Sequence, residues 1–408
     1  MSLGSLVETL IGSEPFERLL ASRERPLVAQ AETGEAFVLA GLATALELPV
    51  LAITPGPHEA EALVADVEAF LPGSAVLLPA WEAFPYELLS PTPEIAARRA
   101  AAVRRLREAS GPLVVVAPAV AAAQGIAPST GTAAPLEVAT GDEAAPDTLA
   151  DRLVVLGYER ADVVQRRGEF AVRGGVLDVF PADARRPVRL EFWGDEIDSI
   201  RVFVPSTQLS SERVERATVG AARELVLDED LRVRAADAAG QVGDERIADL
   251  LGRIGDGALP DGMESAAAFL WDEMPTPAEL LPDSSWVVVT EARRTLGRLR
   301  QTHDDAEALA SALAWPGPHV VRAPEQALGT ATQLHLSAFT EGHDLSLRGW
   351  GAAGGDPGAL AGQAADLLRP GQVSAVPRAA PGIVALHGRA FAGDDAGAVA
   401  IAGCAGRA

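Results

Sequence analysis

The sequence predicts an α/β protein built on a parallel β-sheet, with a smaller α+β unit inserted in it. Over residues 27–119, apolar runs such as Pro49–Thr54 and Leu113–Ala117 alternate with helical segments. Unbroken β-branched runs of this kind are typical of parallel strands that are covered on both faces. From about residue 151 the strands follow one another closely, which indicates a small antiparallel sheet. At 408 residues the chain is too long for one ordinary core, so we expect two to four domains.

The first part of the chain begins with a predicted amphipathic helix over residues 5–20, where leucines and Phe16 recur at helical spacing. A strand at Ala75–Leu78 and helices at His58–Phe70 and Ile95–Ala109 complete the alternating pattern. Residues 120–150 are rich in Ala, Pro, Thr and Gly, and we interpret them as the boundary of a second unit.

In the second unit, Val188–Trp193 and Glu196–Phe203 are predicted strands of a hairpin that turns at Gly194-Asp195. Residues 217–315 return to helices, with a strand at Trp286–Thr290 between them. The last part is dominated by Gly and Ala, and its predicted strands are Gly382–Leu386 and Ala398–Ile401.

Composition removes several classes of function. The net charge is -23, and all 34 basic residues are arginine because the chain contains no lysine. A Walker-type phosphate loop needs a lysine, and an acidic chain is poorly suited to nonspecific DNA binding. The single cysteine, Cys404, fits a reducing compartment, and neither a signal peptide nor a membrane span is evident, so we expect a cytoplasmic protein.

The segment Ala29–Ala36 lies where a nucleotide-binding loop would follow the first strand. Gly34 has the place of the second glycine, but Glu35 stands for the lysine and Ala36 for the Ser/Thr. A carboxylate repels phosphate, and alanine cannot ligate Mg²⁺. A plain strand-to-helix turn and a vestigial loop that has lost ATP both fit, and both predict a non-functional nucleotide site.

Two arginines and a tryptophan of the second unit are the strongest binding candidates. Because strands alternate their faces, Arg189 and Trp193 share one face with Glu191, while the apolar residues between them point to the core. An exposed tryptophan beside an arginine has the composition of a binding hot spot. Arg173 precedes Gly174-Gly175, where we expect a bulge that re-aims its side chain. An interface and an ordinary solvated sheet remain equally open from these residues alone.

Other candidates have simpler interpretations. Trp81, Phe84 and Tyr86 are expected to pack on the sheet edge, and the arginines of residues 98–107 to form a solvated face paired with glutamates. The six histidines are scattered without metal-ligand spacing, so we predict neither a metal site nor a cofactor.

The motif series GYER, RRGEFAVRGGVLDVFP and RPVRLEFWGDEIDSIRVF closely resembles the second domain of the bacterial transcription-repair coupling factor family (Mfd), which is shared with UvrB. LPAWEAFPYELLSP resembles the first domain of that family, and the likeness covers roughly residues 1–345. UvrB itself is a poorer match, since it has an intact Walker loop and a tyrosine-rich hairpin, whereas this chain has two tyrosines.

The resemblance implies a degenerate P-loop or helicase-like parallel sheet with an inserted adaptor and a partial C-terminal α/β domain. It implies a UvrB-like domain 1a at 1–131, an adaptor at 132–216, a domain 1b at 217–348 and a shortened third domain at 349–408. The adaptor of the family binds UvrA, and the matching positions here are Arg173, Arg189 and Trp193.

The resemblance further implies a module that recruits nucleotide excision repair to RNA polymerase stalled at DNA damage. We expect RNA polymerase and DNA to be contacted only through family regions missing from this chain, which is then a fragment without the ATP-driven motor and not an enzyme. The alternative is a nucleotide-dependent helicase or excinuclease subunit of the UvrB type that acts on DNA.

Overall fold

The computed structural model describes residues 7–8, 10–22 and 34–337, together with isolated strands on either side of the last range: Leu27–Ala31, Leu345–Arg348, Val373–Ala375, Ile383–His387 and Ala400–Gly403. No helix within these ranges is long and apolar enough to cross a membrane.

The strands, numbered in chain order, are β1 (Leu27–Ala31), β2 (Pro49–Thr54), β3 (Ala75–Leu77), β4 (Leu113–Pro118), β5 (Leu136–Ala139), β6 (Glu159–Arg160), β7 (Glu169–Arg173), β8 (Val176–Val179), β9 (Val188–Trp193), β10 (Glu196–Phe203), β11 (Ser210–Val214), β12 (Arg216–Val219), β13 (Trp286–Val289), β14 (Thr332–Ser337), β15 (Leu345–Arg348), β16 (Val373–Ala375), β17 (Ile383–His387) and β18 (Ala400–Gly403). The helices are α1 (Glu14–Ala21), α2 (Glu35–Leu46), α3 (Pro57–Phe70), α4 (Pro93–Glu108), α5 (Ala119–Ala123), α6 (Pro146–Val155), α7 (Glu229–Ala239), α8 (Glu245–Gly255), α9 (Ala267–Leu270), α10 (Ala292–Ala312) and α11 (Pro324–Leu328). Two 3-10 turns lie at Pro85–Glu87 and Met263–Ala266.

The predicted parallel sheet is confirmed. Its ten strands have the order β18-β17-β16-β15-β1-β14-β13-β2-β4-β3. All neighbours from β16 to β3 run parallel, and only β16-β17 and β17-β18 are antiparallel. The predicted strands Gly382–Leu386 and Ala398–Ile401 overlap β17 and β18, but most of the predicted third domain at 349–408 lies outside the described residues.

The central strands are buried on both faces, as their sequence predicts. In β2, Val50 and Ala52 join a core with helices α2 and α3, while Leu51 and Ile53 join a second core with α4 and α10. Because successive side chains of a strand point to opposite faces, both sets must be apolar. This requirement explains the continuous apolar runs of β2, β4 and β13.

The second unit is a six-stranded sheet in the order β11-β10-β9-β8-β7-β6, antiparallel except for the short β6-β7 pair. One of its faces packs against α6, with Leu153, Phe170 and Leu190 in the shared core. β5 and β12 form a separate two-stranded ribbon beside it. In the six-stranded sheet, the hairpin strands β9 and β10 have the predicted bounds, and Trp193 is paired with Glu196 across the turn.

Helices α7 and α8 pack against each other and on the Met263–Ala266 turn in a core of their own. Asp228 and Asp244 cap their first turns by accepting hydrogen bonds from backbone N–H groups. The divisions predicted at residues 131, 216 and 348 stay predictions.

The single helix predicted over residues 5–20 is wrong. Within the described residues, Gly12 and Ser13 form a turn that separates helical residues 10–11 from α1. The Ser13 hydroxyl donates to the carbonyl of Leu10 at 2.7 Å, which closes the preceding helical turn. Pro15 lies in the first turn of α1, where a missing N–H is tolerated but where an earlier helix cannot continue unbroken.

Candidate protein-docking site

The site begins with the alternation of strand β9. Arg189 lies opposite Asp178 on β8 and opposite Arg201 on β10, so these three side chains share one face of the six-stranded sheet. Val188 and Leu190 point the other way, into the core with α6. Trp193 follows on the same face as Arg189 and is 82% exposed. The exposure predicted for the tryptophan is therefore confirmed, and we call this face the docking face.

Arg173 reaches the docking face from the end of β7. The expected bulge at Gly174-Gly175 is wrong, since these residues form the two-residue turn of the β7-β8 hairpin, with Arg173 paired to Val176. Gly174 has φ 58°, a left-handed conformation that a glycine adopts without a steric penalty. A glycine pair therefore makes the tight turn here, and the turn places Arg173 two residues from the position opposite Asp178.

Asp178 brings the two arginines together. Its carboxylate is fully buried and accepts from Arg189 twice, from Nε at 2.7 Å and from Nη2 at 2.9 Å. Arg173 donates from Nη2 to the same carboxylate at 2.7 Å. The cluster of two guanidinium groups and one carboxylate carries a net charge of +1, although the whole chain carries -23.

Arg189 is held more firmly than the sequence suggests. Its side chain is 16% exposed, so the exposure predicted for this residue is wrong. Besides Asp178, it donates from Nη1 to the carbonyl of Gln208 at 3.2 Å and to Ser210 Oγ at 3.4 Å. Its guanidinium also lies 4.8 Å from the ring centre of Phe203. The hydrogen bonds to Asp178 raise the pKa of Arg189 further above its usual range, so the group stays a cation.

Sequence reasoning missed Asp178 and the segment that follows β10. Gln208 has φ 59°, and its side-chain amide donates to the carbonyls of Val164 at 3.0 Å and Pro205 at 2.7 Å. Parity alone places Asp178 on one definite face of β8. The pairing of β8 with β9 decides that this face is that of Arg189, and this register is not visible in the sequence.

The predicted nucleotide loop is described from Gly34 onward. Gly34 has φ 98° and precedes α2, in which Ala36 is buried. Burial raises the pKa of Glu35 to about 7, and the negative charge of Glu291 adds to this effect. A carboxylate at the first turn of α2 therefore stands where a phosphate-binding loop would place its cation.

The arginine-rich helix α4 corrects another expectation. Arg99 is fully buried rather than solvated, and it donates to Glu224 Oε1 at 2.7 Å and to the carbonyl of Pro79 at 2.7 Å. The indole of Trp81 donates to the same Glu224 oxygen and lies 5.6 Å from the Arg99 guanidinium. Helix α4 is tied to its surroundings by these bonds, which include a partner 125 residues away in the sequence.

The predicted packing of the aromatic segment is confirmed. Trp81 and Tyr86 are buried, and Phe84 is half-buried against the same sheet core as Tyr86. The Tyr86 ring lies 5.2 Å from that of Trp315. Packing within the fold explains these aromatic side chains.

Comparison with known proteins adds the family. Residues 136–225, which include the whole docking face, match the family described as the UvrB interaction domain. This chain is similar to the UvrB-like region of transcription-repair-coupling factors. The factor from Mycobacterium bovis is 35% identical over 363 residues, which is 83% of this chain and 29% of that protein. The factor from Bacillus subtilis is 27% identical over 67% of this chain and 25% of its own length.

UvrABC system protein B of Chloroflexus aggregans is 29% identical over 48% of this chain and 32% of its own length. The predicted resemblance to the coupling factors, with a UvrB-like character, is thus confirmed. The chain spans less than a third of the length of the coupling factors named here.

Proposed function

We propose that this chain binds UvrA through the docking face, with Arg173, Arg189 and Trp193 as the residues that carry the interaction. The observation that carries the proposal is the exposed indole of Trp193 within a UvrB interaction domain. A tryptophan with 82% of its surface in water gains free energy when a partner covers it. Trp and Arg are also the residues most often found to dominate binding energy at interfaces.

The charge of the docking face supports the same partner chemistry. The cluster of Arg173, Asp178 and Arg189 has a net charge of +1 and lies on the same face of the sheet as Trp193. An acidic side chain of UvrA would pair with this charge, while the indole would fill an apolar pocket. In a coupling factor, this contact would recruit nucleotide excision repair to RNA polymerase stalled at DNA damage.

The test is binding of purified UvrA to the chain, measured by biolayer interferometry. Trp193→Ala should weaken binding by about 30-fold or more, which corresponds to about 2 kcal/mol for a central anchor. Val233→Ala is the matched control, because Val233 is also exposed, at 51%, but lies on α7 outside the matched domain. Equal affinities for wild type and Trp193→Ala would refute the proposal.

Trp193→Ala is a cleaner first test than the double variant Arg173→Ala, Arg189→Ala. Removing both arginines would leave Asp178 buried without any counter-charge, and an unpaired buried charge destabilises the fold. A loss of binding in that variant would therefore not distinguish a lost contact from a disturbed sheet.

We propose further that the chain neither binds nor hydrolyses ATP at Gly34–Ala36. The support is Glu35, whose carboxyl group lies at the start of α2 and shares its surroundings with Glu291. At pH 8, above its pKa, the charged Glu35 carboxylate would repel a triphosphate. Titration with a fluorescent ATP analogue should show no saturable binding, and saturable binding to the wild-type chain would refute the proposal and favour the alternative of a nucleotide-dependent helicase subunit.

A further inference from the structure

The two arginines of the docking face differ in how many of their donors are already used. Arg189 directs Nε and Nη2 to Asp178, and both of its contacts to Gln208 and Ser210 come from Nη1. A guanidinium has five N–H groups, so these four bonds leave Arg189 at most one donor for a partner. With its side chain 16% exposed, it has little surface to offer.

Arg173 has the opposite character. Its side chain is 46% exposed, and its bond from Nη2 to Asp178 is its one contact of this kind within the described ranges. Four N–H groups therefore remain for a partner. The planar fork of a guanidinium binds a carboxylate through two parallel hydrogen bonds, and this geometry gives both strength and specificity.

Asp178 links these two roles because its carboxylate is fully buried and cannot rotate freely. The two bonds from Arg189 fix both oxygens, and Oδ2 then receives Nη2 of Arg173. A long arginine side chain at the end of a hairpin loses rotamer freedom when a partner binds it. A fixed acceptor already restricts the side chain in the free protein, so less conformational entropy is lost on binding. Phe203 and Gln208 hold Arg189 from the other side.

We infer that Asp178 is the positioning residue of the docking face and that Arg173 alone makes the bidentate contact with a carboxylate of the partner. Arg189 acts as a clamp that orients Asp178. The inference rests on the proposed binding of UvrA and assigns the roles within it. It also names the group recognised on UvrA, a single Asp or Glu side chain.

The decisive experiment is a double-mutant cycle on UvrA affinity with Asp178→Asn and Arg173→Ala. Asp178→Asn should weaken binding by about 10-fold, although it removes a negative charge from the face, and its effect should fall below about 3-fold in the Arg173→Ala background. A disturbance of the sheet in general would weaken binding equally in both backgrounds. An equal effect of Asp178→Asn in both backgrounds would overturn the inference.

Asp195→Asn is the control for charge, because it removes the same negative charge at the exposed turn next to Trp193. It should bind at least as tightly as wild type. If Asp178→Asn does not fold, Arg189→Lys decides instead, since it keeps the charge but loses the fork that orients Asp178. We expect Arg189→Lys to weaken binding by about 10-fold in wild type and by less than about 3-fold with Arg173→Ala.

Wild type and Trp193→Ala are measured in the same series to separate the two proposals. Loss of binding only in Trp193→Ala, with Asp178→Asn and Arg189→Lys as tight as wild type, would overturn the positioning role and leave the proposed function standing. A wild-type chain that does not bind UvrA would overturn both.

Discussion

Glu35 makes the stability of the chain depend on pH in a direction opposite to that of most carboxylates. Its pKa is about 7 in the folded chain, against an ordinary value of 4.5, because burial and the nearby Glu291 disfavour its charged form. Between these two pH values the folded state retains a proton that the unfolded state has released. Stability therefore falls as pH rises through this window.

The magnitude follows from the shift. A difference of roughly 2.5 pKa units corresponds to a penalty of about 3 kcal/mol at pH 8, where the carboxyl is charged in both states. At pH 5 the folded carboxyl is still neutral, and the penalty is below about 1 kcal/mol. Replacing Glu35 by Gln removes the charge at every pH, so the variant should be more stable than wild type by these amounts.

The assay is urea unfolding followed by tryptophan fluorescence at pH 5 and pH 8. Glu17→Gln is the control, because Glu17 is a solvent-exposed carboxylate on α1. The Glu35→Gln variant should gain about 2 kcal/mol more over wild type at pH 8 than at pH 5, and the control should gain little at either. An equal gain at both pH values would show that the carboxyl of Glu35 is not buried as described.

Three further predictions concern the fold. Glu224→Gln leaves Arg99 buried without a charge partner and should destabilise the chain by about 3–5 kcal/mol in urea unfolding, whereas Glu229→Gln, which breaks an exposed pair, should change stability by less than about 1 kcal/mol. Gly262→Ala should lower the free energy of unfolding by more than about 2 kcal/mol, since the added Cβ would lie 2.3 Å from the Leu88 carbonyl oxygen. Gly141→Ala is the control, because Gly141 has a similar positive φ in open space, and it should cost about 1 kcal/mol. Equal losses would refute the steric argument. Tyr158→Phe removes a hydroxyl that donates to Gly220 and accepts from Ala182, and a loss of stability under about 0.5 kcal/mol would show that these bonds contribute little.

The sequence predicts the parallel sheet well because the physical cause is local. A strand that is covered on both faces must be apolar at every position, and β2 and β4 show this requirement directly. The same holds for the hairpin at Gly194-Asp195, where the turn residues and the alternation on β9 agree. Trp193 was found by parity alone, since its face follows from its distance along the strand to Val188 and Leu190.

The missed features depend on partners that are distant in the sequence. Arg99 is buried because it forms an ion pair with Glu224. The sequence pattern of α4 does not indicate a counter-charge that comes from another segment. Asp178 is an acidic residue in a strand of apolar neighbours, which is a visible local conflict. Only the registers of β8 with β9 and with β7 show that two arginines resolve this conflict. A buried-type strand that contains one carboxylate, with arginines of matching parity on flanking strands, is a signal that sequence reasoning can use.

Two buried carboxylates of this chain illustrate how burial of a charge can have opposite physical consequences. Glu35 shares its surroundings with Glu291, whose negative charge adds to the effect of burial, so burial of Glu35 costs stability. Asp178 is buried more completely, but two arginines satisfy both of its oxygens, and one of them, Arg173, stays half-exposed. Burial of Glu35 destabilises the fold, and a neutral residue at this position would remove the penalty. Burial of Asp178 orients the Arg173 guanidinium before any partner binds. We therefore expect the loss of Asp178 to weaken binding more than the change in charge alone predicts.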